Sequence, residues 1–482
     1  MSEHTIESFN IENPPSIYER GSIDSENDIT DEESTNDNII FQEDSLDIGK
    51  RNRNALHKAY CGIKGDSDLS GILNVTVSAI GGGCFSFPHM MYEGGIVVII
   101  IIFIFVTACV YYSIDLLRSF VVDTKYFSFA LMTEAILGPK WLKIYAFCSF
   151  VIYVSMVINY LASIYIYIQG MFDFDGVLSN IIYFLISMII EIIICLYISK
   201  MNNMMHFLSL ISITSLFCLI LSLIVFSIVA NINGDVKDKF ISENLFFPKI
   251  DPKSFTNKIL KISTYITEYV YGYSYHSTFP TVIGYLHRVN NKNTKKIHLI
   301  SFGIVVLSYI FITFFGFILS DAVPMQIFSE NDKIFKGVWK VFRKPFKIVM
   351  VIYLLTLVPV RFIVVRDNYI TLMGKRKVTF MNELIIIIIF IFICNIFVFG
   401  VGTFEKYLEG WDIRTLIQAF GGMFGVIISF CLPVINYISV NGKNKIKSII
   451  GYIITGFFVI VGFFSTSCAI YKIVLGDDET RA

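Results

Sequence analysis

The chain has 482 residues, of which 55% are hydrophobic and 16% are charged. A soluble domain carries about 25% charged residues, so this composition argues against an ordinary cytosolic enzyme. The formal net charge of zero conceals a division, because residues 1–49 hold 14 Asp and Glu and one Arg, whereas the rest of the chain is basic.

Residues 1–66 are predicted to form a disordered, acidic tail that ends in a basic stretch. Ser, Asn, Asp and Glu surround isolated apolar residues, as in residues 22–28, and such a composition buries too little apolar area to offset the entropy of ordering. The basic residues between Lys50 and Lys64 precede the first apolar segment directly. The tail could bind an unknown protein partner, or it could serve only solubility.

Apolar runs long enough to cross a membrane recur along the rest of the chain. About 20 helical residues cross the apolar layer, and lipid tolerates only helices or closed barrels. The runs lack the alternation of barrel strands, so the sequence predicts an all-α integral membrane protein. We place eleven spans near residues 69–91, 95–117, 141–169, 179–199, 207–231, 258–284, 299–320, 348–365, 384–400, 413–438 and 448–473. A transmembrane domain is thus expected over residues 67–475, followed by a short C-terminal tail over 476–482.

The charges of the loops predict that the N-terminus is cytosolic. With that orientation the inner loops hold 16 Lys and Arg residues, as the positive-inside rule expects. The outer loop at 170–178 contains two Asp and no base, whereas the loop at 321–347 opposes this orientation with six bases.

Several functional classes lack their motifs. Eight of the nine cysteines lie in apolar runs, which disfavours a disulfide framework or a zinc site. No phosphate-binding loop, catalytic triad or metal-ligand spacing occurs. We therefore expect neither an enzyme nor an ATP-driven pump, and no cofactor, metal or nucleic acid.

Two of the predicted spans, the first and the sixth, are interrupted by Gly and Pro. Span one contains Gly81, Gly82 and Gly83, and each glycine in a helix costs about 1 kcal/mol relative to Ala. Span six contains Gly272 and, eight residues later, Pro280. Backbone groups freed at membrane depth are tolerated only where they line a cavity or a protein interior. The alternative is that the glycines only permit close helix packing.

The interruptions fall at matched positions if spans 1–5 and 6–10 are two related halves. Paired interrupted helices of this kind indicate an inverted-repeat transporter with its site near the membrane midplane. Half-helix N-termini there offer N–H groups to an anion, and freed carbonyls can accept hydrogen bonds from an ammonium group. An α-amino acid presents both groups on one carbon, so it suits such a site.

Motifs at these positions resemble those of the amino acid/auxin permease family. They are a Gly-x-Gly pattern within residues 80–88 with Gly94-Gly95-Ile96, a His-x-x-x-Pro at residues 276–280, Pro359-Val360-Arg361, and residues 420–433 ending in Leu-Pro. The resemblance implies a leucine-transporter-type fold, with a five-plus-five inverted repeat, one extra helix, and helices 1 and 6 broken. It also implies that the backbone of Gly81, Gly82 and Gly83 binds the substrate carboxylate. Val77 stands where sodium-coupled members tend to carry Asn, which favours proton coupling or facilitated movement.

The candidate substrate-binding residues lie at the two interruptions and on helices expected to face them. They are Ser78, Gly81, Gly82, Gly83, Cys84, Tyr271, Gly272, Tyr273, Ser274, Asn159 and Thr356. For the polar helix residues the alternative is an interhelical hydrogen bond.

Ionisable residues inside the spans are candidates for proton coupling, because burying a charge in lipid is costly. They are Glu268, His276 and Glu191. Each also has a structural alternative: a helix-end partner for Glu268, a backbone cap for His276 and a helix-paired carboxylate for Glu191. Two arginines are expected to be structural. Arg361 would stabilise the inner end of span eight by reaching the interface, and Arg118 would pair with Asp115 three residues before it.

We therefore expect a secondary active amino acid transporter that works by alternating access, with proton coupling favoured. A nutrient-sensing receptor on the same fold, a carrier of another small amine or organic acid, and an ion channel are the alternatives. Such a transporter could lie either in the plasma membrane or in an acidic vacuole or lysosome-like membrane.

Overall fold

The computed structural model describes residues 67–172, 185–195, 204–232, 255–286, 289–319, 343–374, 380–404, 413–441 and 445–475. All of them lie in the compact unit Cys61–Ala482. The predicted tails at 1–66 and 476–482, and most of the loops at 170–178 and 321–347, lie outside these residues.

Every regular element within the described ranges is helical, which confirms the all-α class. The helices are α1 (Asp68–Ala79), α2 (Phe87–Gly94), α3 (Ile96–Thr124), α4 (Phe129–Leu137), α5 (Pro139–Phe172), α6 (Leu185–Cys195), α7 (Met204–Ile232), α8 (Phe255–Gly272), α9 (Phe279–Gly284), α10 (Asn291–Leu319), α11 (Arg343–Leu372), α12 (Phe380–Phe404), α13 (Ile413–Val426), α14 (Leu432–Asn441) and α15 (Lys445–Leu475). A 3₁₀ turn at Gly82–Ser86 precedes α2, and a π turn at Ile427–Cys431 joins α13 to α14.

Seven apolar helical segments of the described residues are long enough to cross a membrane, and the bent pair formed by α1 and α2 would make eight. The seven are Ile96–Thr124, Pro139–Ile168, Phe207–Val229, Asn291–Leu319, Lys344–Leu372, Phe420–Val440 and Lys445–Tyr471. The apolar segments Leu185–Cys195 and Leu384–Val398 are shorter. Eleven spans therefore stay a prediction, because the predicted span 179–199 is described only in part and the predicted span 258–284 is divided between α8 and α9.

Helices α5 and α11 form the centre of the bundle. They pack against each other along much of their length, and they are the most buried of the long apolar helices. Helices α3 and α15 lie at the periphery and expose large aliphatic side chains, such as Ile101 and Ile104 of α3 and Ile453 of α15. In a membrane these faces contact lipid, which is as apolar as the side chains themselves.

The first interrupted helix has a start and an end that the sequence explains. Ser67 caps α1, because its hydroxyl accepts a hydrogen bond from the Ser70 N–H at 3.2 Å. Helix α1 ends at Ala79, and Ile80 and Gly81 are extended before the 3₁₀ turn begins. We call residues 80–86 the first break.

The second interrupted helix consists of α8 and α9, and we call residues 273–278 between them the second break. Helix α9 begins at Phe279 with Pro280 in its first turn, a position where the missing N–H of proline costs nothing.

A third irregularity, the π turn, also has a local cause. Pro433 has no N–H, so it cannot bond the Ser429 carbonyl four residues earlier. The Ser113 hydroxyl of α3 donates to that carbonyl instead, and Thr455 of α15 donates to the Phe430 carbonyl at 3.3 Å. The π turn is thus tied to two neighbouring helices.

The predicted ion pair of α3 is confirmed. Arg118 Nε donates to Asp115 Oδ1 at 2.9 Å, and Arg118 Nη1 also bonds the side chains of Asn291 and Thr294 at the start of α10. The pair therefore joins α3 to α10 as well as stabilising its own helix.

Candidate functional site

One tyrosine hydroxyl connects the two breaks. The Tyr309 hydroxyl of α10 lies 2.9 Å from the carbonyl oxygen of Ala79 and 2.6 Å from that of Gly272. Ala79 ends α1 and Gly272 ends α8. A hydroxyl carries one proton and can donate to only one of the two carbonyls at a time. Tyr309 thus holds together the two places where the helical backbone stops.

Aromatic packing brings the same segments into contact. The Phe87 ring lies 4.4 Å from the Tyr269 ring and 5.1 Å from the Tyr309 ring, measured between centroids. A Cβ atom added to Gly272 would lie 2.7 Å from Phe87 Cζ, closer than any real contact. Glycine at position 272 therefore permits α2 to approach α8.

The carbonyls of residues 78–80, just before and at the start of the first break, accept hydrogen bonds from side chains of helices distant in sequence. Arg361 Nη2 donates to the Ser78 carbonyl at 2.6 Å, and the Tyr353 hydroxyl donates to the Ile80 carbonyl at 3.5 Å. With Tyr309 on the Ala79 carbonyl, three consecutive carbonyls have side-chain donors. This satisfies the requirement that backbone acceptors at membrane depth find protein partners.

The expectation that Arg361 reaches the interface is wrong. Its side chain is 1% exposed, and its guanidinium lies 5.6 Å from the centre of the Tyr153 ring. The physical reason is that α11 continues to Leu372, so Arg361 lies inside the helix and not at its end. The signal available in the sequence was a permanent charge within an apolar run, because such residues face the interior of the bundle.

The predicted site residues of the first break surround Gly81. Ser78 is buried and donates its hydroxyl to the Asn74 carbonyl at 2.7 Å, while its own carbonyl accepts from Arg361. A Cβ atom on Gly81 would lie 2.9 Å from the Tyr160 hydroxyl and 3.9 Å from Arg361 Nη2. Gly82, Gly83 and Cys84 follow in the 3₁₀ turn, and Cys84 is fully buried.

Two predicted tyrosines at the end of α8 and the start of the second break point in different directions. The Tyr271 hydroxyl lies 3.4 Å from Ser155 Oγ of α5, and its ring lies beside Gly83 of the first break. The Tyr273 hydroxyl lies 3.0 Å from Thr107 Oγ1 of α3. The structure therefore brings Tyr271, but not the tip of Tyr273, towards the first break.

The remaining predicted substrate contacts are buried polar residues. The Ser274 carbonyl accepts from the Tyr153 hydroxyl at 3.2 Å, and the Ser274 hydroxyl donates to Val270 at 3.0 Å. Thr356 is buried on α11 and donates to the Tyr353 carbonyl of its own helix at 2.6 Å. Asn159 is buried on α5 next to Tyr160.

Sequence reasoning missed the hydroxyls that organise the breaks. Tyr160, Tyr309 and Tyr353 come from α5, α10 and α11 and all lie at the first break. Each is an aromatic residue with a polar tip in an apolar helix, and the hydroxyls of Tyr309 and Tyr353 find backbone partners. The chain has 26 tyrosines, so composition could not distinguish these three.

The three candidates for proton coupling lie on different elements. Glu268 is buried on α8, four residues before Gly272. His276 is fully buried in the second break, and neither ring nitrogen has a hydrogen-bond partner among the described residues. Glu191 of α6 accepts from Ser187 at 2.6 Å and from Asn395 of α12 at 2.8 Å.

The residues that the structure describes contain no group of three His, Cys, Asp or Glu side chains that could hold a metal ion.

Comparison with known proteins places this architecture among membrane transporters. The profile of the family described as "Transmembrane amino acid transporter protein" matches residues 64–475. Among solved structures, a manganese transporter of Eremococcus coleocola is similar with a TM-score of 0.60 and 10% identity, covering 86% of this chain and 88% of that one. A Na⁺-coupled sialic acid symporter in a substrate-bound outward-open state is similar with a TM-score of 0.54 and 11% identity, covering 90% of this chain and 94% of that one. At such identity the likeness concerns the fold alone. No curated protein sequence matches significantly.

Proposed function

The chain belongs to the transmembrane amino acid transporter family, and on that premise we propose that it carries amino acids across a membrane by alternating access, with a proton as the coupling ion. The observation that carries the proposal is the contact of the Tyr309 hydroxyl with the last carbonyls of α1 and α8. It joins two interrupted helices at one point, the arrangement around which inverted-repeat transporters bind their substrates.

The two ends of an amino acid suit the two kinds of backbone group at this point. The N–H groups at the start of a helical segment have no partner within it, so those of Gly82 and Gly83 can bind a carboxylate. A carbonyl oxygen has two lone pairs, so the Ala79 and Gly272 carbonyls can accept from an ammonium group beside Tyr309. Tyr271 and Thr356 would then face the side chain of the substrate.

Proton coupling is assigned first to His276. An imidazole can bind and release a proton, and His276 is buried within the second break. Glu268 and Glu191 are the carboxylate candidates. By the resemblance described above, Val77 stands where sodium-coupled members tend to carry Asn, which favours proton coupling or facilitated movement over coupling to Na⁺.

Orientation and membrane are part of the proposal. The positive-inside pattern supports a cytosolic N-terminus, and either the plasma membrane or an acidic vacuole would supply a proton gradient. Protease access to an epitope added at the N-terminus, in intact and in permeabilised vesicles, tests the orientation.

Uptake of labelled amino acids into proteoliposomes tests the function. We expect accumulation driven by an imposed pH gradient without sodium, and its collapse on addition of a protonophore. A parallel series with a sodium gradient and no pH gradient separates the coupling ions. A monodisperse, folded protein that takes up no amino acid under either gradient would contradict amino acid transport.

A further inference from the structure

Arg361 is a buried cation beside the first break without a described acidic partner. Its side chain is 1% exposed, and no described Asp or Glu forms an ion pair with it. The Tyr153 ring faces the guanidinium at 5.6 Å, and the Tyr160 hydroxyl lies on the same side, because it and Arg361 Nη2 are both within 4 Å of a Cβ built on Gly81.

The guanidinium has donors to spare. One of its five N–H groups bonds the Ser78 carbonyl. The Tyr160 hydroxyl is close, yet Nε and Nη1 have no acceptor with hydrogen-bond geometry among the described residues. A buried charge is strongly unfavourable unless it is paired and hydrogen-bonded, so a carboxylate bound here would supply a partner that the described residues do not.

A second buried arginine, Arg118, offers a comparison because its guanidinium has both an acidic partner and hydrogen-bond acceptors. Arg118 is 4% exposed, and it pairs with Asp115 and bonds the side chain of Asn291. Arg361 is more buried than Arg118 and lacks an equivalent of Asp115 among the described residues.

Arg361 lies close to the backbone of the first break, where the substrate carboxylate is proposed to bind. Its Nη2 atom lies 3.9 Å from where a Cβ of Gly81 would be, and Ser78 and Tyr153 hold the group in place. The N–H groups of Gly82 and Gly83 begin the 3₁₀ turn directly after Gly81. A carboxylate beside Gly81 would therefore lie near both the start of this turn and the guanidinium.

We propose that Arg361 binds the carboxylate of the transported substrate and thereby restricts transport to molecules with a free carboxylate. The second N–H of Nη2, together with Nε or Nη1, forms the fork that receives two carboxylate oxygens. The inference rests on the proposed function, because it assigns a ligand group to the same site. It predicts that zwitterionic and anionic amino acids bind, whereas their amides and decarboxylated amines do not.

The test compares ligands that differ only in this group. Competition with labelled amino acid uptake is measured for the transported amino acid, its carboxamide and its decarboxylated amine. Wild type should prefer the acid over the amide by about 10- to 100-fold, the range of hydrogen bonds to charged groups. Arg361→Gln should bring that ratio close to one, and Arg361→Lys, which keeps the charge but loses the fork, should give an intermediate ratio.

Arg118→Gln is the matched control, because it removes a buried guanidinium away from the first break. It should lower the unfolding temperature and leave the acid-to-amide ratio unchanged.

If Arg361→Gln does not fold, Arg361→Lys decides, since it preserves the charge: a reduced ratio supports the proposal, and an unchanged ratio overturns it. A wild-type protein that transports amino acids but accepts amides equally well also overturns it. Absence of all amino acid uptake contradicts the proposed function, whereas uptake with an unaltered ratio in the variants contradicts the role of Arg361 alone.

Discussion

The carbonyls of residues 78–80 at the first break accept from side chains of other helices, whereas the second break combines such contacts with several backbone hydrogen bonds of its own. In the second break the Tyr273 N–H donates to Tyr269 at 3.1 Å, and the Tyr275 N–H donates to Tyr273 at 2.9 Å. At the first break the carbonyls of residues 78–80 accept from Arg361, Tyr309 and Tyr353. We therefore expect the first break to follow movements of α10 and α11, since these helices carry its three side-chain donors.

This contrast suggests a division of labour. The first break lies beside a buried guanidinium whose Nε and Nη1 have no described acceptor, which suits binding of a substrate carboxylate. The second break contains His276, a titratable group without a described hydrogen-bond partner, which suits coupling to a proton. The following variants test this division, from the largest expected effect to the smallest.

Removal of the titratable group in the second break should have the largest effect. We expect His276→Gln to abolish accumulation against a gradient while exchange of labelled for unlabelled amino acid continues, because Gln cannot carry a proton. The measurement is the ratio of uptake with and without a pH gradient. His89→Gln is the control, since His89 lies in α2 and pairs with Glu93 at 3.1 Å. Accumulation that persists in His276→Gln would move the assignment to Glu268 or Glu191, which Gln variants test in the same assay.

Filling the space beside Gly81 should reduce substrate affinity by about 10-fold, equivalent to about 1.4 kcal/mol, because the added methyl group occupies space beside the proposed carboxylate site. In Gly81→Ala the new Cβ would lie 2.9 Å from the Tyr160 hydroxyl. The double variant Gly81→Ala/Tyr160→Phe removes that hydroxyl and should recover part of the affinity, measured by competition with labelled substrate. Equal affinities for Gly81→Ala and wild type would show that the substrate does not approach Gly81.

Loss of the bridging hydroxyl should destabilise both breaks together. Tyr309→Phe leaves the Ala79 and Gly272 carbonyls without this donor, at a cost of about 1–3 kcal/mol in the free energy of unfolding. Tyr353→Phe is the matched control, because its hydroxyl makes one long hydrogen bond of 3.5 Å. In detergent, the unfolding temperature of Tyr309→Phe should be well below that of Tyr353→Phe. The reverse order would contradict the bridging role.

The smallest effect is expected from removing the hydrogen bond that links Tyr153 of α5 to the second break. Tyr153→Phe removes the hydrogen bond to the Ser274 carbonyl but keeps the ring that faces Arg361. One neutral hydrogen bond contributes about 0.5–1.5 kcal/mol. We expect a small fall in unfolding temperature and an unchanged preference for acids over amides. A large loss of substrate affinity would show that substrate binding also depends on the second break.

Local features of the fold were predictable from the sequence. Apolar runs predict helices, because lipid leaves backbone groups no other partner. Gly81–Gly83 and Pro280 mark irregular backbone because these residues disfavour a continuous helix. The pair of Asp115 and Arg118 was predictable because i,i+3 neighbours share a helix face.

Other features depend on which helices become neighbours. Glu191 finds Asn395, more than two hundred residues later, and no local pattern encodes that contact. The number of membrane spans also stays a prediction, since apolar length alone does not say which helices bend, pair or stop short.

The sequence by itself determined an all-helical membrane protein with helical backbone interrupted at Gly81–Gly83 and after Gly272, because helix propensity and hydrogen-bond satisfaction are local. Only the tertiary structure decided that Tyr309 joins the two breaks and that Arg361 points into the first one. The physical reason is that a freed carbonyl or a buried charge requires a partner, but helix packing chooses which residue supplies it.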